Sequence, residues 1–171
     1  MRAKEIFEVN LIDPLDDVSA ESSLKQDFNF NMSGGPGVVR GHIRDLEIRQ
    51  GTNPWELFLI NEEGKPVGSI CLAQYQGPIP NMHRVSYVWL HPSLRGKGYG
   101  YSLYAFFLDR GFVLVSDYDQ TVFSRSIWQR LARSAEYAVH ELQIGAGLSR
   151  ARRTTASVYK QPDKVLVAKK R

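Results

Sequence analysis

The stretch LHPSLRGKGYG (residues 90–100) places glycines at three alternate positions between two apolar segments. Glycine is costly inside helices and strands, because its backbone loses the most freedom and it contributes nothing to packing. A strand-like segment precedes the glycines, and a segment with helical spacing follows them. The first N–H groups of a helix lack partners within the helix, and the helix dipole adds positive potential there. The stretch therefore predicts an anion-binding turn at a helix start, with charge from Arg95 and Lys97.

The turn matches neither of two familiar phosphate-binding loops. A Walker loop needs Ser or Thr directly after a Gly-Lys pair, and here Lys97 is followed by Gly98. A dinucleotide-binding G-x-G-x-x-G loop needs its third glycine one residue later than Gly100, within a βαβ unit. The strands predicted before this turn form hairpins instead, so neither loop is expected.

Length and composition describe an ordinary globular protein. The chain has 171 residues, of which 43% are hydrophobic and 23% are charged, so one domain can bury a core. No apolar run approaches the roughly 20 residues that cross a bilayer, and the first residues do not resemble a signal peptide. The histidines lack metal-ligand spacing, and the single cysteine, Cys71, is expected as a buried, unreactive thiol. We expect one cytoplasmic domain over residues 1–171, without a metal or membrane span.

Charge is distributed unevenly along the chain. Residues 1–90 carry 8 basic and 12 acidic side chains, a net charge of −4, whereas residues 91–171 carry 14 and 6, a net charge of +8. The basic half begins at the glycine turn, which indicates an anionic partner there. Nucleic acid is one possible partner of this half, although no helix-turn-helix, zinc-finger or RNA-recognition signature is present.

Before the turn, the sequence predicts strands more than helices. Alternation in residues 83–90 places Val85, Tyr87 and Trp89 on one face. The polar segment that follows the first predicted strand (5–12) allows at most a short helix around 17–27 and a mobile loop at 30–39. Residues 41–50 are ambiguous between helix and strand. The predicted strands cover 5–12, 55–60, 65–74 and 83–90, with a tight hairpin between the second and third.

After the turn, helices and strands alternate. In the second of the two predicted helices, Phe123, Ile127 and Leu131 are spaced to pack one face on the sheet. The elements predicted are a helix from Gly98 that stops at Gly111, a strand over 112–116, a helix over 121–134 and closing strands over 137–142 and 164–168, with a basic connection over 143–160. The domain is therefore expected to be mixed α/β.

The motif Arg95-Gly96-Lys97-Gly98-Tyr99-Gly100 resembles the acetyl-CoA-binding motif of the GNAT superfamily of N-acetyltransferases. Its signature there is Arg or Gln, two residues, Gly, one residue, and Gly or Ala. The preceding Leu90 and Pro92 and the following Leu103-Tyr104 also fit the family pattern. The resemblance is strong over residues 80–115 and extends over 55–142, whereas residues 13–50 show no sign of the family's first helices.

The resemblance implies an α/β (α+β) fold with a central mixed, mostly antiparallel sheet, flanked by helices and splayed at the acetyl-CoA site. Acetyl-CoA is then the cosubstrate, with its pantetheine lying like an extra strand between the strands at 84–90 and 112–116. The pyrophosphate would lie on N–H groups of the turn, and a backbone N–H near Leu90 would polarise the thioester carbonyl. The residues expected at the cosubstrate are Trp89, Leu90, Arg95, Gly96, Lys97, Gly98, Tyr99, Gly100 and Tyr101.

In the family a primary amine attacks the thioester directly, and this requires the neutral amine. A lysine-type amine has a pKa near 10.4 and is almost entirely protonated at neutral pH, so a general base is useful. Asp117, which ends the strand over 112–116, and His83, which starts the strand over 83–90, are the candidates at the splay. A helix-capping carboxylate and a strand-end histidine are the plainer interpretations of the two.

One part of the family pattern is missing. Many members carry an asparagine after the second parallel strand and, seven residues later, a tyrosine that can protonate the sulfur. Thr121 and Trp128 occupy the matching positions, and an indole N–H cannot act as an acid. Ser124, Tyr118 or water would substitute, unless no acid is needed. The segment SDYDQTVFSRSIW (116–128) also resembles GNAT-like proteins carried by phages and plasmids.

Three classes of function follow from these patterns. The first is an acetyl-CoA-dependent N-acetyltransferase that acts on a primary amine of a protein, a small molecule or a nucleic-acid-linked group. The second is a GNAT-fold protein that modifies or binds nucleic acid, as the basic half indicates. The third is a catalytically silent GNAT scaffold that acts through protein contacts, as the missing tyrosine indicates. The sequence leaves the acceptor and the oligomeric state open.

Overall fold

The structure, a computed structural model, describes residues 14–33, 35, 37–117, 122–143, 152–153 and 164–171, without the side chains of 14–21, 122 and 152–153. These residues form one sheet and three α-helices. The elements are α1 (Pro14–Asn31), β1 (Val38–Ile43), β2 (Leu46–Gln50), β3 (Glu56–Ile60), β4 (Pro66–Gln74), β5 (Met82–Leu90), a 3₁₀ turn (Pro92–Leu94), α2 (Tyr99–Leu108), β6 (Val113–Val115), α3 (Val122–Arg133), β7 (Tyr137–Gln143), β8 (Arg152–Arg153) and β9 (Lys164–Lys170).

The strands follow the order β1-β2-β3-β4-β5-β6-β9-β7-β8. The β5–β6 pair is parallel, and the other neighbours are antiparallel. The mixed α/β architecture with a mostly antiparallel sheet is thus confirmed. In the described part of the chain, no helix is long and apolar enough to cross a membrane.

Helices cover both faces of the sheet. The α2 and α3 helices pack on one face and bury Leu103, Tyr104, Ile127 and Trp128 in the main core. The α1 helix packs on the opposite face, where Leu24 contributes to a separate cluster. The cosubstrate motif therefore lies on the face of α2 and α3, at the start of α2.

The parallel pair β5–β6 is short, and this creates the opening in the sheet. The two strands pair only between Met82–Arg84 and Val113–Val115, whereas β5 continues to Leu90. Beyond Val115, Ser116 turns to β9, because its N–H donates to the Leu166 carbonyl (2.8 Å) and its hydroxyl accepts from the Leu166 N–H (2.9 Å). The remainder of β5 has no β6 partner, which confirms the predicted splay; we call this opening the wedge.

A β-bulge in β5 changes which side chains face α2. Tyr87 and Val85 pair with consecutive residues of β4, so Ser86 is the inserted residue, and an inserted residue interrupts strand alternation. Val85 lies in the main core, whereas Trp89 lies in the α1 cluster and Tyr87 is 45% exposed. The prediction that these three residues share one face was wrong, because sequence alternation does not reveal the bulge.

Most elements predicted from Trp55 onward are confirmed within about two residues, the usual uncertainty of element ends. Two predictions before that point were wrong or undecided. The α1 helix covers Pro14–Asn31, longer than the short helix expected, and the ambiguous residues 41–50 belong to the β1–β2 hairpin. Because α1 ends at Asn31 and β1 begins at Val38, residues 32–37 of the predicted loop at 30–39 lie between the two elements, and the loop's mobility stays a prediction.

Several predictions fall partly or wholly outside the described residues. They are the strand over 5–12 and most of the basic connection over 143–160, in which only the two-residue β8 is described. The single-domain assignment stays a prediction. In α3, Ile127 and Leu131 are buried as predicted, but Phe123 is 40% exposed, and Trp128 is the large aromatic that the core contains.

Candidate functional site

The glycine turn connects the end of β5 to α2 through tightly bent backbone. Gly96 and Gly98 have φ values of +71° and +86°, in the left-handed region that favours glycine. Gly98 is the N-cap of α2, and no side chain caps the helix there. The N–H groups of the first turn of α2 therefore have no intrahelical partner and no bond from the N-cap residue, as an anion-binding helix start requires.

Two arginines from other elements converge on this helix start. A Cβ atom added at Gly98 would lie 3.1 Å from Nη2 of Arg44 and 3.7 Å from Nη1 of Arg130. Arg44 lies in the β1–β2 turn and donates to the Lys97 carbonyl (2.7 Å), while Arg130 lies on α3 with its guanidinium 4.1 Å from the Tyr101 ring centroid. Sequence reasoning missed both, because a β-turn and a helix far from the motif supply them.

Arg44 is held in an uncommon backbone conformation. Its φ is +55°, a value that costs a non-glycine residue energy unless its surroundings hold it there. Its guanidinium lies 4.7 Å from the Tyr99 ring centroid, and the Tyr99 hydroxyl donates to Asp45 (2.6 Å). That hydrogen bond holds the pKa of Asp45 below, and the pKa of Tyr99 above, their ordinary values. The aromatic ring of Tyr99 thus helps to hold the Arg44 guanidinium in place.

The third glycine has a different role from the first two. Gly100 lies inside α2, and a Cβ there would lie 2.9 Å from Cδ1 of Ile127 on α3. A contact that close requires the neighbour to move, so glycine at this position allows α2 and α3 to pack. Gly96, by contrast, has no described atom within 4 Å of its added Cβ. The predicted motif therefore combines an open turn with a helix-packing position.

The other predicted cosubstrate residues are placed around the turn with varied orientations. Arg95 points back to β5, since its Nε donates to the Leu90 carbonyl (2.9 Å) and its guanidinium lies 5.9 Å from the Trp89 ring centroid. The Trp89 side chain is buried against α1, and its Nε1 has no hydrogen-bond partner among the residues that the structure describes. Tyr101 packs between Arg130 and the Tyr137 ring. Their roles at the cosubstrate stay predictions.

Asp117 and Ser124 come together behind α2. Both interact with Tyr104, whose hydroxyl bonds Ser124. The pKa of Tyr104 is raised to about 12, mainly by burial; the hydrogen bond to Ser124 opposes this rise, and the charge of Asp117 adds to it. Asp117 lies two residues after Val115, which pairs with Arg84. It is therefore level with the bulge of β5, across the wedge.

Trp128 does not take the place of a sulfur-facing acid. Its side chain is only 1% exposed, and its ring meets Tyr104 edge-on at 5.7 Å between centroids. Tyr104 and Trp128 together fill the space between α2 and α3. The other two positions in that prediction, Tyr118 and Thr121, lie outside the described residues.

His83 is separated from the other two predicted catalytic residues. It lies in the paired part of β5, opposite Leu114, and therefore at the closed end of the wedge. Its Nδ1 is 3.1 Å from the Asn81 carbonyl, and its ring packs 4.9 Å from Phe112 and 5.8 Å from Trp55, between centroids. The predicted placement of His83 at the splay was wrong by this geometry.

A further carboxyl group lies on the α1 face of the sheet. Strand register places Glu56, Cys71 and Tyr87 side by side in one row across β3, β4 and β5. Desolvation, followed by the charge of Asp27, raises the pKa of Glu56, and a bond to Asn31 opposes this. Burial, followed by Glu56, raises the pKa of the Cys71 thiol and of the Tyr87 hydroxyl. The row was not recognisable from sequence, because it depends on the bulge.

Comparison with known families agrees with this architecture. The model of the acetyltransferase (GNAT) family matches residues 26–117. This segment includes the wedge strands and the glycine turn, and it is more than half of the chain. The chain belongs to the GNAT acetyltransferase family. Family membership implies acyl transfer from an acyl-CoA.

Two of the similar solved structures are acetyltransferases with low sequence identity to this chain. Tetrahymena GCN5 is 14% identical, with 90% of this chain and 87% of that chain covered and a TM-score of 0.43. The ribosomal-protein-S18-alanine N-acetyltransferase from Escherichia coli is 11% identical, with 92% and 89% covered and a TM-score of 0.41. No residue of the site is assigned from these structures. No curated protein matches the chain.

The residues at the start of α2 fit a phosphate-bearing cosubstrate. The bare N-terminus offers N–H donors, Gly98 leaves the approach free of a side chain, and the guanidinium groups of Arg44 and Arg130 add positive charge. The wedge beside the turn exposes a backbone edge of β5. The N–H donors, the two guanidinium groups and the backbone edge of β5 are adjacent. Recognition of an extended molecule that ends in phosphate groups requires such an arrangement.

Proposed function

We propose that the protein transfers an acetyl group from acetyl-CoA to a primary amine by direct attack on the thioester. One observation carries the proposal: the uncapped start of α2, with Arg44 and Arg130 converging on Gly98, lies beside the unpaired part of β5. Phosphate groups would be held at the turn by N–H donors and guanidinium groups. The thioester would lie deeper in the wedge, towards the bulge at Ser86.

The length of the unpaired strand supports this arrangement. From Arg84 to Leu90, β5 rises roughly 20 Å at about 3.3 Å per residue. The bulge lies near the closed end of this span and the glycine turn beyond its open end. A backbone N–H of this segment would polarise the thioester carbonyl, as a preorganised donor does for developing negative charge.

The proton balance of the transfer points to Asp117. The amine must lose one proton as its nitrogen bonds the acyl carbon and the carbon–sulfur bond breaks. Asp117 is level with the bulge and on the opposite side of the wedge, so a water between its carboxylate and the amine would accept that proton. Acetyl-CoA supplies an activated thioester when bound, and no covalent acyl-enzyme is required.

Release of the thiolate needs no dedicated side-chain acid in this proposal. Trp128 and Tyr104 are buried together, and Ser124 bonds the Tyr104 hydroxyl. An ordinary thiol has a pKa of about 8.5, so its thiolate is a good leaving group near neutral pH and takes a proton from water afterwards. The missing tyrosine is therefore compatible with activity.

Two measurements test the proposal. Calorimetry should show saturable binding of acetyl-CoA, and a panel of primary amines should yield a product heavier by one acetyl group together with free CoA thiol. Absence of acetyl-CoA binding would refute the proposal. Binding without transfer to any amine of a broad panel would favour the silent-scaffold alternative.

Nucleic acid remains the alternative partner, and it is tested separately. The basic connection over 143–160 lies mostly outside the described residues. Binding of tRNA or duplex DNA that weakens steeply with salt would support this partner, because phosphate contacts release counterions. If neither nucleic acid binds detectably at 50 mM salt, nucleic acid is ruled out as a partner.

A further inference from the structure

A second recess lies at the end of β5 remote from the glycine turn. It has a volume of about 430 Å³, within the range of roughly 300–1,000 Å³ typical of small-molecule pockets. Its lining comes from β1 to β5 and from the end of α2 and the residues after it, and it includes Arg40, Gln50, Trp55, His83, Phe106 and Arg110. We call it the β5 cavity.

One wall of the β5 cavity is a continuous series of aromatic rings. Trp55 contacts His83, His83 contacts Phe112, Phe112 contacts Phe107, and Phe107 contacts Phe106, with centroid separations of 5.8, 4.9, 5.5 and 5.2 Å. Such a wall suits a flat apolar group, which gains both burial and ring contacts.

The open side of the cavity is positively charged. The Arg110 guanidinium lies 3.4 Å from the Phe106 ring centroid, and its Nη1 donates to the Phe106 carbonyl (3.0 Å). Arg40 donates through Nε to Oε1 of Gln50 (2.5 Å). Both arginines thus bond neutral oxygens, and none of the described residues that line the cavity is acidic.

The backbone of β1 is shaped to admit Arg110. Gly41 follows an irregularity in the β1–β2 register and has a φ of +146°. A Cβ at Gly41 would lie 2.9 Å from Cε2 of Phe106 and 3.0 Å from Nη2 of Arg110. The glycine therefore allows the stacked Phe106–Arg110 pair to lie against β1, beside the cavity.

We propose that the β5 cavity binds an organic anion with a flat apolar body, such as an aromatic carboxylate. The apolar body would lie on the aromatic wall, and the carboxylate would bond Arg40 and Arg110. Charge-assisted hydrogen bonds to guanidinium are among the strongest available to a carboxylate, and no carboxylate among the described lining residues competes for them.

The cavity is next to the reacting end of the wedge. His83 lines the cavity and immediately precedes Arg84, the last β5 residue that pairs with β6. We therefore assign the bound anion to the acceptor, so that the amine reacts in the wedge while the carboxylate stays between the arginines. This assignment rests on the proposed function and predicts an acceptor that resembles an aromatic amino acid.

Binding of the anion is tested without any acetyl transfer. Phenylacetate and its neutral isostere phenylacetamide are titrated into the full chain, with ligand-observed NMR or calorimetry as the readout. Phenylacetate should bind at least tenfold more tightly than the amide, and Arg110→Ala or Arg40→Gln should remove most of that difference. Arg133→Ala, on the exposed surface of α3, is the matched control and should change nothing. Equal affinity for acid and amide, or indifference to both cavity substitutions, would overturn the site.

The acceptor assignment is tested by a second pair of compounds. With acetyl-CoA saturating, L-phenylalanine should be acetylated with a kcat/KM at least tenfold higher than that of phenethylamine, which lacks the carboxylate. Arg110→Ala should remove this preference by raising KM. Equal use of the two amines, or use of neither despite phenylacetate binding, would overturn the acceptor assignment and leave the anion site in place. If the proposed function itself is wrong, the wild-type protein does not bind acetyl-CoA. If only the acceptor assignment is wrong, acetyl-CoA still binds.

Discussion

The two proposed ligand sites, at the two ends of β5, are built by different means. At the Leu90 end, the site consists of backbone: a glycine turn and the bare start of α2, with Arg44 and Arg130 as added charge. At the Met82 end, the cavity consists of side chains that six or more separate segments contribute. A backbone site suits a part of the reaction that never changes, and a side-chain cavity suits the part that specifies one acceptor.

This difference also decides what sequence can reveal. The glycine turn is contiguous, so its spacing predicted the start of α2, on which the proposed anion site depends. The β5 cavity has no contiguous motif, because Arg40 and Arg110 come to line one cavity only once β1 packs on α2. A motif formed by neighbouring residues can be recognised from the sequence, whereas a site that tertiary packing assembles from distant residues cannot.

The outcomes of other predictions also depended on whether the feature was local or tertiary. Strands from Trp55 onward were predictable from alternation and turns, but the bulge at Ser86 reversed the faces of the residues beyond it. The α1 helix was underestimated, since its stability depends on burying Leu24 and Phe28 against the sheet, which local polarity conceals. Arg44 was invisible as a site residue, because it lies 53 positions from the carbonyl that it binds.

The largest expected effect comes from placing a carboxylate at the backbone end. Gly98→Asp should abolish measurable acetyl-CoA binding, at least a hundredfold loss, because the new carboxylate would occupy the anion position and neutralise Arg44 and Arg130. Gly98→Asn is the matched control, since Asn tolerates positive φ as Asp does but carries no charge. Calorimetry should rank wild type, Asn and Asp in descending affinity. Equal affinities of the Asn and Asp variants would show that charge at this position is irrelevant.

The next largest effect is expected on the acetyl-transfer step, when the proposed general base Asp117 is replaced. Asp117→Asn should leave acetyl-CoA affinity within a few-fold and slow the single-turnover step by about 10²-fold, as loss of a general base does. The defect should shrink as pH rises towards the amine pKa near 10.4, because more amine is then neutral without help. Glu56→Gln is the comparison variant and should slow the step less. A larger defect in Glu56→Gln than in Asp117→Asn would indicate that the general base is Glu56, on the α1 face of the sheet.

A smaller effect is expected from each arginine at the start of α2. Arg44→Ala and Arg130→Ala should each weaken acetyl-CoA by about tenfold, since a hydrogen bond to a charged group contributes about 1.5–3 kcal/mol and the other arginine remains. Neither variant should change phenylacetate binding at the other end of β5. Loss of both ligands in one variant would instead indicate a global change of fold, which circular dichroism would detect.

The smallest effect is expected from Arg95, although it belongs to the recognised motif. Its Nε already bonds the Leu90 carbonyl, so it positions the turn more than it contacts the ligand. Arg95→Ala should weaken acetyl-CoA by a few-fold, about 0.5–1 kcal/mol, and should weaken dephospho-CoA equally. A loss that exceeds that of Arg44→Ala, or one confined to CoA with its 3′-phosphate, would assign Arg95 a direct contact.

The central claim is that the phosphate end of acyl-CoA and the carboxylate end of the acceptor lie at opposite ends of β5, and amide chemical shifts test it directly. In a ¹⁵N-labelled sample, titration with CoA should move the amides of residues 96–100 most and leave those of Gly41 and Arg110 in place. Titration with phenylacetate should do the reverse. If CoA leaves the 96–100 amides unmoved at saturation, or if both ligands shift the same residues, the account is contradicted.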